Sequence, residues 1–492
     1  MKDHYGNKVI YSFAALLIIN LLQFLLVPII SIGLGVEVYG IWSQIQAAVN
    51  FLLPLALLSL PEAFTRFTAA EKDKSVVATN YYTVLFTVVT VGVVIALIFY
   101  LLAPIISETF IKTEFSTIRL FQTASFLIIA QTINKHSLGY FRTFQDEKLY
   151  SAILVIQNLV LILAAIILIN YNYGLKEIIL SLIIVYSVVY ILTQVLIIKD
   201  IGFKLPDIRI LKPLLLFSLP LLPMGFFNII NNISDRYIIG YYLPVMEVAK
   251  YSAGYSLVMV VQFLYAPFFL FLFPKTTNLW ESKDFHTMNK VMNYSNKLPL
   301  FVAIPVVFAS GLLYKEFLLL ITGQILDISF LLIPVICVGY IFLFIGEIYA
   351  YVLITAKVTN YIMKGYIIAS TINIVGNIIL VPIIGIIGAA LITLLTFFVQ
   401  MLYFIIKSNK YYKLQLDWKF LWKSIISAVF MIICIYFLKQ ELWGIDNSIL
   451  LLIMTIVGAL IYILTSFLFG VINKDEILLV KSLILFKLLK NQ

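Results

Sequence analysis

Charge is what this sequence has least of. Only 12% of its 492 residues are Asp, Glu, Lys or Arg, about half the roughly 25% usual in soluble domains. Mean hydropathy is +1.05. Together these exclude a soluble globular chain and give the fold class: an all-α polytopic membrane protein. Cysteine is nearly absent. Cys337 and Cys434 both fall inside apolar runs, which excludes a disulfide framework. His4, His136 and His286 lie in three separate connections, so neither a metal site nor a resident cofactor is expected. No GxxxxGK[ST] loop occurs, so the chain hydrolyses no ATP of its own.

Long apolar runs are abundant instead. A spanning helix needs about 20 residues, and fourteen candidates fit: 9–32, 39–61, 79–103, 117–134, 150–170, 177–198, 213–242, 252–273, 297–314, 326–349, 361–381, 384–406, 420–438 and 447–471. The first run is too long for a signal-peptide core, and no small-x-small cleavage site follows it. It reads as a retained helix. The 34 Lys and Arg residues are distributed very unevenly: 27 lie in or beside alternate connections beginning with the N-terminus, and 7 in the others. Basic residues are retained on the cytoplasmic side, so both termini are expected in the cytoplasm. The net charge of +10 is then a topology signal. Its partner is the anionic surface of membrane lipids, not nucleic acid.

An internal echo divides the chain. SIGLGVEVYGIWS, from Ser31 to Ser43, is echoed by IGYYLPVMEVAKYSAGY, from Ile239 to Tyr255, with Glu37-Val38 matching Glu247-Val248. Six spans separate the copies, and an even number leaves both in the same orientation, related by an axis near the membrane normal. This predicts lobes at 1–212 (helices 1–6) and 213–416 (helices 7–12), followed by an appendage at 417–492 (helices 13–14 and a cytoplasmic tail).

Within the seventh span, NNISDRYIIGYY (Asn231–Tyr242) places charge among apolar residues. By the echo, Asp235 and Arg236 sit inside the helix, roughly 10 Å below its outer end at 1.5 Å per residue. Asn228, Asn231, Asn232 and Asp235 recur at i, i+3, i+4 and i+7, one helical face. An outer loop ending the helix near Ile233 is the plainer reading. The other is a water-filled cavity between the lobes, because intramembrane charge persists where water or a partner receives it. The second is preferred. Asn20 and Gln23 on helix 1, Gln44 and Asn50 on helix 2, Gln262 on helix 8, and Arg119 and Gln122 on helix 4 are candidates to join it, although any one amide is more often an interhelical hydrogen bond. Glu62 and Arg66 read as an i, i+4 pair or a gate. Glu347 is placed to snorkel or to pair with Lys357. Pro28, Pro54, Pro220 and Pro223 soften helices 1, 2 and 7.

These features, in this order, resemble the polysaccharide (oligosaccharide-lipid) flippases, which are relatives of the multidrug-and-toxin-extrusion transporters. The resemblance rests on GLGVEVYGIW, on LPLLPMGFFNIINNISDRYIIGYY, on TINIVGNIILVPIIGIIGAAL with Asn373 and Asn377, and on GYFRTFQDEKLYS with Arg142. It implies a V-shaped pair of six-helix lobes plus two C-terminal helices. It also implies alternating access and an oligosaccharide on a polyprenyl (pyro)phosphate as substrate. The setting would be O-antigen-type surface polysaccharide biosynthesis at the cytoplasmic (inner) membrane. Coupling to an H⁺ or Na⁺ gradient, a monomeric chain, and glycan polymerase or export machinery as partners belong to the same expectation. Arg236 is then the first choice for the pyrophosphate, Arg119 the second, and Asp235 the coupling carboxylate. Asn373 and Asn377 take gate or structural roles. Rival readings are a cation-coupled drug exporter on the same fold, a murein-precursor flippase, and a membrane glycosyltransferase or polymerase. The last would need a sizeable outer loop or paired acidic residues, and the sequence offers neither.

The charge distribution makes a topology prediction. In a background lacking Cys337 and Cys434, Lys250→Cys is expected to react with an impermeant maleimide applied outside cells, while Ile210→Cys and Lys283→Cys react only after permeabilisation. The reverse pattern would invert the topology.

Overall fold

In the computed structural model, residues 2–111, 117–414, 417–442 and 446–471 are described, with side chains from Ala15 onward except at 260, 263–264, 266–271 and 273–274. The basic tail after 471 and the His4 side chain lie outside that description. Described residues form helices and no strands. Among the described residues, eleven helices are long and apolar enough to cross a membrane, or twelve if one bent pair is a single span. Each of the fourteen expected spans overlaps a helix, but α5 and α10 are not among those long and apolar enough in their described residues. The chain is a multi-pass membrane protein. Large apolar side chains such as Leu101 and Ile105 stay more than 60% exposed, which suits a hydrocarbon surround.

Contacts group the chain into two compact units. The first comprises 1–259, 321–323 and 360–400. It holds α1 (Lys2–Leu34), α2 (Val36–Leu57), α3 (Leu60–Thr68), α4 (Lys74–Phe110), α5 (Ile118–Thr143), α6 (Glu147–Asn170), α7 (Leu175–Ile201), α8 (Leu211–Ser218), α9 (Leu222–Tyr242), the start of α10 (Val245–Glu281), α14 (Asn360–Ile384) and most of α15 (Ile386–Ser408). Here α4 packs on α5, α5 on α7, α1 on α6, and α9 on both α2 and α14. The second unit comprises 260–320, 324–359 and 401–492, with α11 (Phe285–Leu312), α12 (Tyr314–Thr322), α13 (Leu332–Thr355), α16 (Trp418–Glu441) and α17 (Asn447–Leu468). Two ion pairs tie its helices together: Lys297, midway along α11, to Asp417 at the start of α16 at 2.6 Å, and Lys439 to Glu316 at 2.8 Å.

Three elements differ from the sequence expectation. The second span does not run through Pro61. It stops at Leu57, and Leu58 and Ser59 adopt left-handed backbone (φ 50° and 51°) that turns the chain into α3. The seventh span is broken: α8 and α9 meet at 55°. Pro220 sits in the break and Pro223 at the start of α9. Proline lacks the amide proton and its ring clashes with the preceding turn, which accounts for a bend at this point. Finally, α5 continues to Thr143, so His136 is not in a connection. It is 1% exposed, stacks on Tyr81 at 4.7 Å between ring centroids, and its Nε2 lies 3.2 Å from the Tyr81 carbonyl. Phe64 and Tyr140 complete this aromatic core. The Tyr140 hydroxyl donates to Asp200 at 2.6 Å, and Asp200 also pairs with Lys74 at 2.7 Å.

Candidate functional site

Helix α9 extends to Tyr242, so Asp235 and Arg236 are helical and the loop alternative is set aside. Consecutive helical residues point about 100° apart, and the two charges separate onto different partners. Asp235 is 1% exposed. Its carboxylate accepts from the Tyr251 hydroxyl at 2.6 Å and from the Arg236 amide at 2.8 Å. The Arg236 guanidinium lies over the Tyr255 ring, 4.4 Å from its centroid, and its Nη1 donates to the Asn232 carbonyl at 2.9 Å. Tyr251 and Tyr255 are i and i+4, so one face of α10 receives both charges. A cation over an aromatic face gains about 0.5–2 kcal/mol, more as water is removed. That offsets part of the cost of intramembrane charge.

The asparagines of α9 divide by burial. Asn231 is 2% exposed, and neither atom of its amide has a hydrogen-bond partner. Asn228 is exposed, and Asn232 donates to its carbonyl at 2.7 Å. Ser234 and Asn373 Oδ1 lie 2.6 Å apart. Asn377 donates to the Asn373 carbonyl and side chain at 2.8 and 3.0 Å. Asn373 and Asn377 are fully buried, and Asn373 joins α14 to α9 through Ser234. Thr393, on α15, lies beside the Tyr251 hydroxyl.

The backbone around Arg236 is held by α2. Gln44 donates to the Arg236 carbonyl at 2.7 Å, and the Tyr237 hydroxyl donates to the Gln44 carbonyl at 3.1 Å. One turn away, the two copies of the echo meet. A methyl at Gly40 would come to 2.7 Å from the Val245 carbonyl oxygen and 3.0 Å from Ala249 Cβ. Ser43 and Ser252 share a hydrogen bond of 2.7 Å. Gly40 thus sets how closely α2 and α10 approach. On the far side of α9 from the charges is a cavity of about 630 Å³, lined by Ile230, Ile233, Ser234, Tyr237 and Ile238 with residues of α2, α4 and α14. Asn231, Asn232, Asp235 and Arg236 are not in its lining.

The profile of the family described as polysaccharide biosynthesis protein matches residues 5–280. The chain belongs to that family. It is a family of membrane transporters, not of enzymes, and the fold agrees. The lipid II flippase MurJ, in an inward closed conformation, superposes with a TM-score of 0.74 at 18% identity, covering 94% of this chain and 98% of the other. A multidrug resistance MATE family transporter of the MOP superfamily, inward-facing, gives 0.63 at 15%, covering 80% and 94%. The MATE multidrug transporter DinF-BH in complex with R6G gives 0.59 at 14%, covering 82% and 94%. No curated protein matches.

Within this family member, the remaining candidates are scattered. Asn20 is half-buried and Gln23 exposed on α1; Asn50 is exposed on α2. On α5, Arg119 is exposed and Gln122 half-buried. Their carbonyls accept from Thr123 and Ser125, each at 2.7 Å. Glu62 and Arg66 are exposed on α3, without an ion pair between them. Gln262 and Glu347, both half-buried, belong to the second unit. What sequence reading missed are the receivers Tyr251 and Tyr255, together with Ser234 and Thr393. The signal was present: YSAGY, inside the echo, places two tyrosines one helical turn apart.

The α2–α10 approach is directly testable. The pair Ser43→Cys and Ser252→Cys is expected to form a disulfide under mild oxidation. Adding Gly40→Val should slow that reaction at least about tenfold, because the seam must part. An unchanged rate would contradict the role given to Gly40.

Proposed function

We propose that the protein flips lipid-(pyro)phosphate-linked oligosaccharide units from the cytoplasmic to the outer leaflet of the cytoplasmic membrane for surface polysaccharide biosynthesis. It works by alternating access between the lobes at 1–212 and 213–416 and is driven by an H⁺ or Na⁺ gradient. A sugar chain cannot enter hydrocarbon unaided, because its hydroxyls lose their water partners. A transporter for it has to supply polar groups and a counter-charge for the phosphate.

The observation that carries this reading is Arg236. It is a guanidinium within a membrane helix, held over Tyr255 at 4.4 Å, while the carboxylate of its neighbour Asp235 accepts from Tyr251. Guanidinium suits a phosphate because its planar fork donates two parallel hydrogen bonds. A tyrosine face keeps it extended without neutralising it. Asp235 supplies the second element of the reading. It is a buried carboxylate, hydrogen-bonded to the Tyr251 hydroxyl, which itself lies beside Thr393. Such a group can exchange a proton or a small cation as the chain changes conformation. Family membership supports a lipid-linked glycan, and the flippase and exporter structures of like fold support the transport mechanism.

The test uses purified protein in liposomes. A fluorescent oligosaccharide on polyprenyl pyrophosphate should cross at least about tenfold faster than in protein-free vesicles, and an imposed ion gradient should raise the rate further. Asp235→Asn should leave downhill movement measurable but remove its response to the gradient, as expected where one intramembrane carboxylate carries the coupling. Transport of a small organic cation, with none of the lipid-linked sugar, would assign the protein to drug export instead.

A further inference from the structure

The C-terminal part of α5 and the short helix α3 carry charge that the site around Arg236 does not use. Gln131, Lys135, Gly139 and Arg142 recur at i, i+4, i+8 and i+11, one face of α5. Lys135 and Arg142 are exposed, although Asn134, His136, Phe141 and Thr143 beside them in the chain are buried. Lys135 stands eight residues before the end of α5 at Thr143, about 12 Å along the axis. An exposed ammonium at that depth needs water or an anion to receive it.

Between the two cations the helix has a gap. Outside its own turn, no atom comes within 4 Å of where a Cβ on Gly139 would stand. Helix α3 lies alongside. Its Phe64 is buried against His136, with 5.9 Å between ring centroids, and Thr65 and Thr143 share a hydrogen bond of 2.8 Å. That packing leaves Glu62 and Arg66, i and i+4, on the exposed side of α3. Glu62 acts electrostatically on Lys135, but among the described residues no ion pair closes between them. The result is a groove with Lys135 at its deep end, Gly139 on its floor, and Arg66 and Arg142 nearer the mouth.

The other carboxylates at this end are largely spent on the protein. Asp200 is held by Lys74 and the Tyr140 hydroxyl, Asp146 caps α6 through the Leu149 amide, and Glu71 accepts from the Lys72 and Asp73 amides. Three cations therefore face Glu62 and Glu147, a surplus of positive charge. Arg142 donates to the Tyr150 hydroxyl, which steers the guanidinium and leaves its remaining donors for a ligand.

We propose that this groove holds the pyrophosphate of the lipid-linked substrate as it arrives from the cytoplasmic leaflet, before Arg236 receives it. The inference rests on the flippase reading above and on its topology, which places this end of α5 in the cytoplasm. Two linked phosphoryl groups can engage the ammonium and a guanidinium at once. The single phosphodiester of a bulk phospholipid offers less charge and no second group to bridge them. Glu62 weakens the hold, so that the ligand can leave for the next site.

The experiment measures equilibrium binding of radiolabelled farnesyl pyrophosphate to full-length protein in phosphatidylcholine nanodiscs, relative to empty discs. Arg236→Ala is present throughout, so that sites other than Arg236 are read. Binding should be saturable. Inorganic pyrophosphate should displace the probe, and added phosphatidylglycerol should not. Lys135→Met should weaken binding at least about fivefold, with Lys135→Arg restoring it. Glu62→Gln should tighten it about threefold, a gain that misfolding does not produce. Displacement by phosphatidylglycerol, which would mark an anionic-lipid surface only, would overturn the proposal. So would unchanged binding in both Lys135→Met and Glu62→Gln. These binding responses, in a protein whose wild type translocates no lipid-linked sugar, would sustain the groove and sink the flippase reading. Translocation at the wild-type rate by Lys135→Met, with no such binding, would do the reverse.

Discussion

A single helical turn that sends a carboxylate and a guanidinium to different tyrosines is the constraint on which the rest of this protein depends. Were Asp235 and Arg236 to pair with each other alone, the result would be a neutral buried ion pair of little net value, with nothing left for a ligand. Instead the Tyr251 hydroxyl takes the carboxylate at 2.6 Å and the Tyr255 ring takes the guanidinium at 4.4 Å. Each charge has its own tyrosine partner, and the two also attract each other across the turn. Keeping α9 and α10 in that register requires close backbone approach nearby. Gly40 on α2 provides it, by admitting Val245 and Ala249. Gln44 adds a direct tether to the Arg236 carbonyl.

The same helix separates two chemistries. One face carries Asn231, Asp235 and Arg236; the other presents Ile230, Ile233 and Ile238 to an apolar cavity. An amphiphilic substrate, with a charged polar head and a long hydrocarbon tail, needs both kinds of surface at one depth in the membrane.

Much of the fold could be read from composition and periodicity. Apolar runs located the helices because a hydrocarbon surround leaves no other backbone solution, and the Glu37/Glu247 echo placed Asp235 inside α9. The positions of helix breaks were less accessible. Leu58 and Ser59 take left-handed backbone without glycine, a tertiary effect that no local propensity announces. Pro220 was visible, yet whether a membrane proline bends or interrupts its helix depends on packing. The tyrosine receivers were hidden for another reason: the chemistry of α9 was legible along one helix, whereas its partners lie on the next. Only the echo hinted that the start of α10 would return to the start of α2. Scattered amides such as Asn20, Asn50 and Gln122 looked alike in sequence and diverge in the structure, because burial is a property of the assembled helices.

The most direct measurement compares wild type with Arg236→Ala, Arg236→Lys and Tyr255→Phe in the reconstituted translocation of a lipid-linked oligosaccharide, at equal protein content per vesicle. A charged hydrogen bond is worth about 1.5–3 kcal/mol, so losing the guanidinium should slow translocation about 10- to 100-fold. Lysine should recover part of the rate, and Tyr255→Phe, which keeps the aromatic face, should remain near wild type. Equal rates for wild type and Arg236→Ala would contradict the account at its centre.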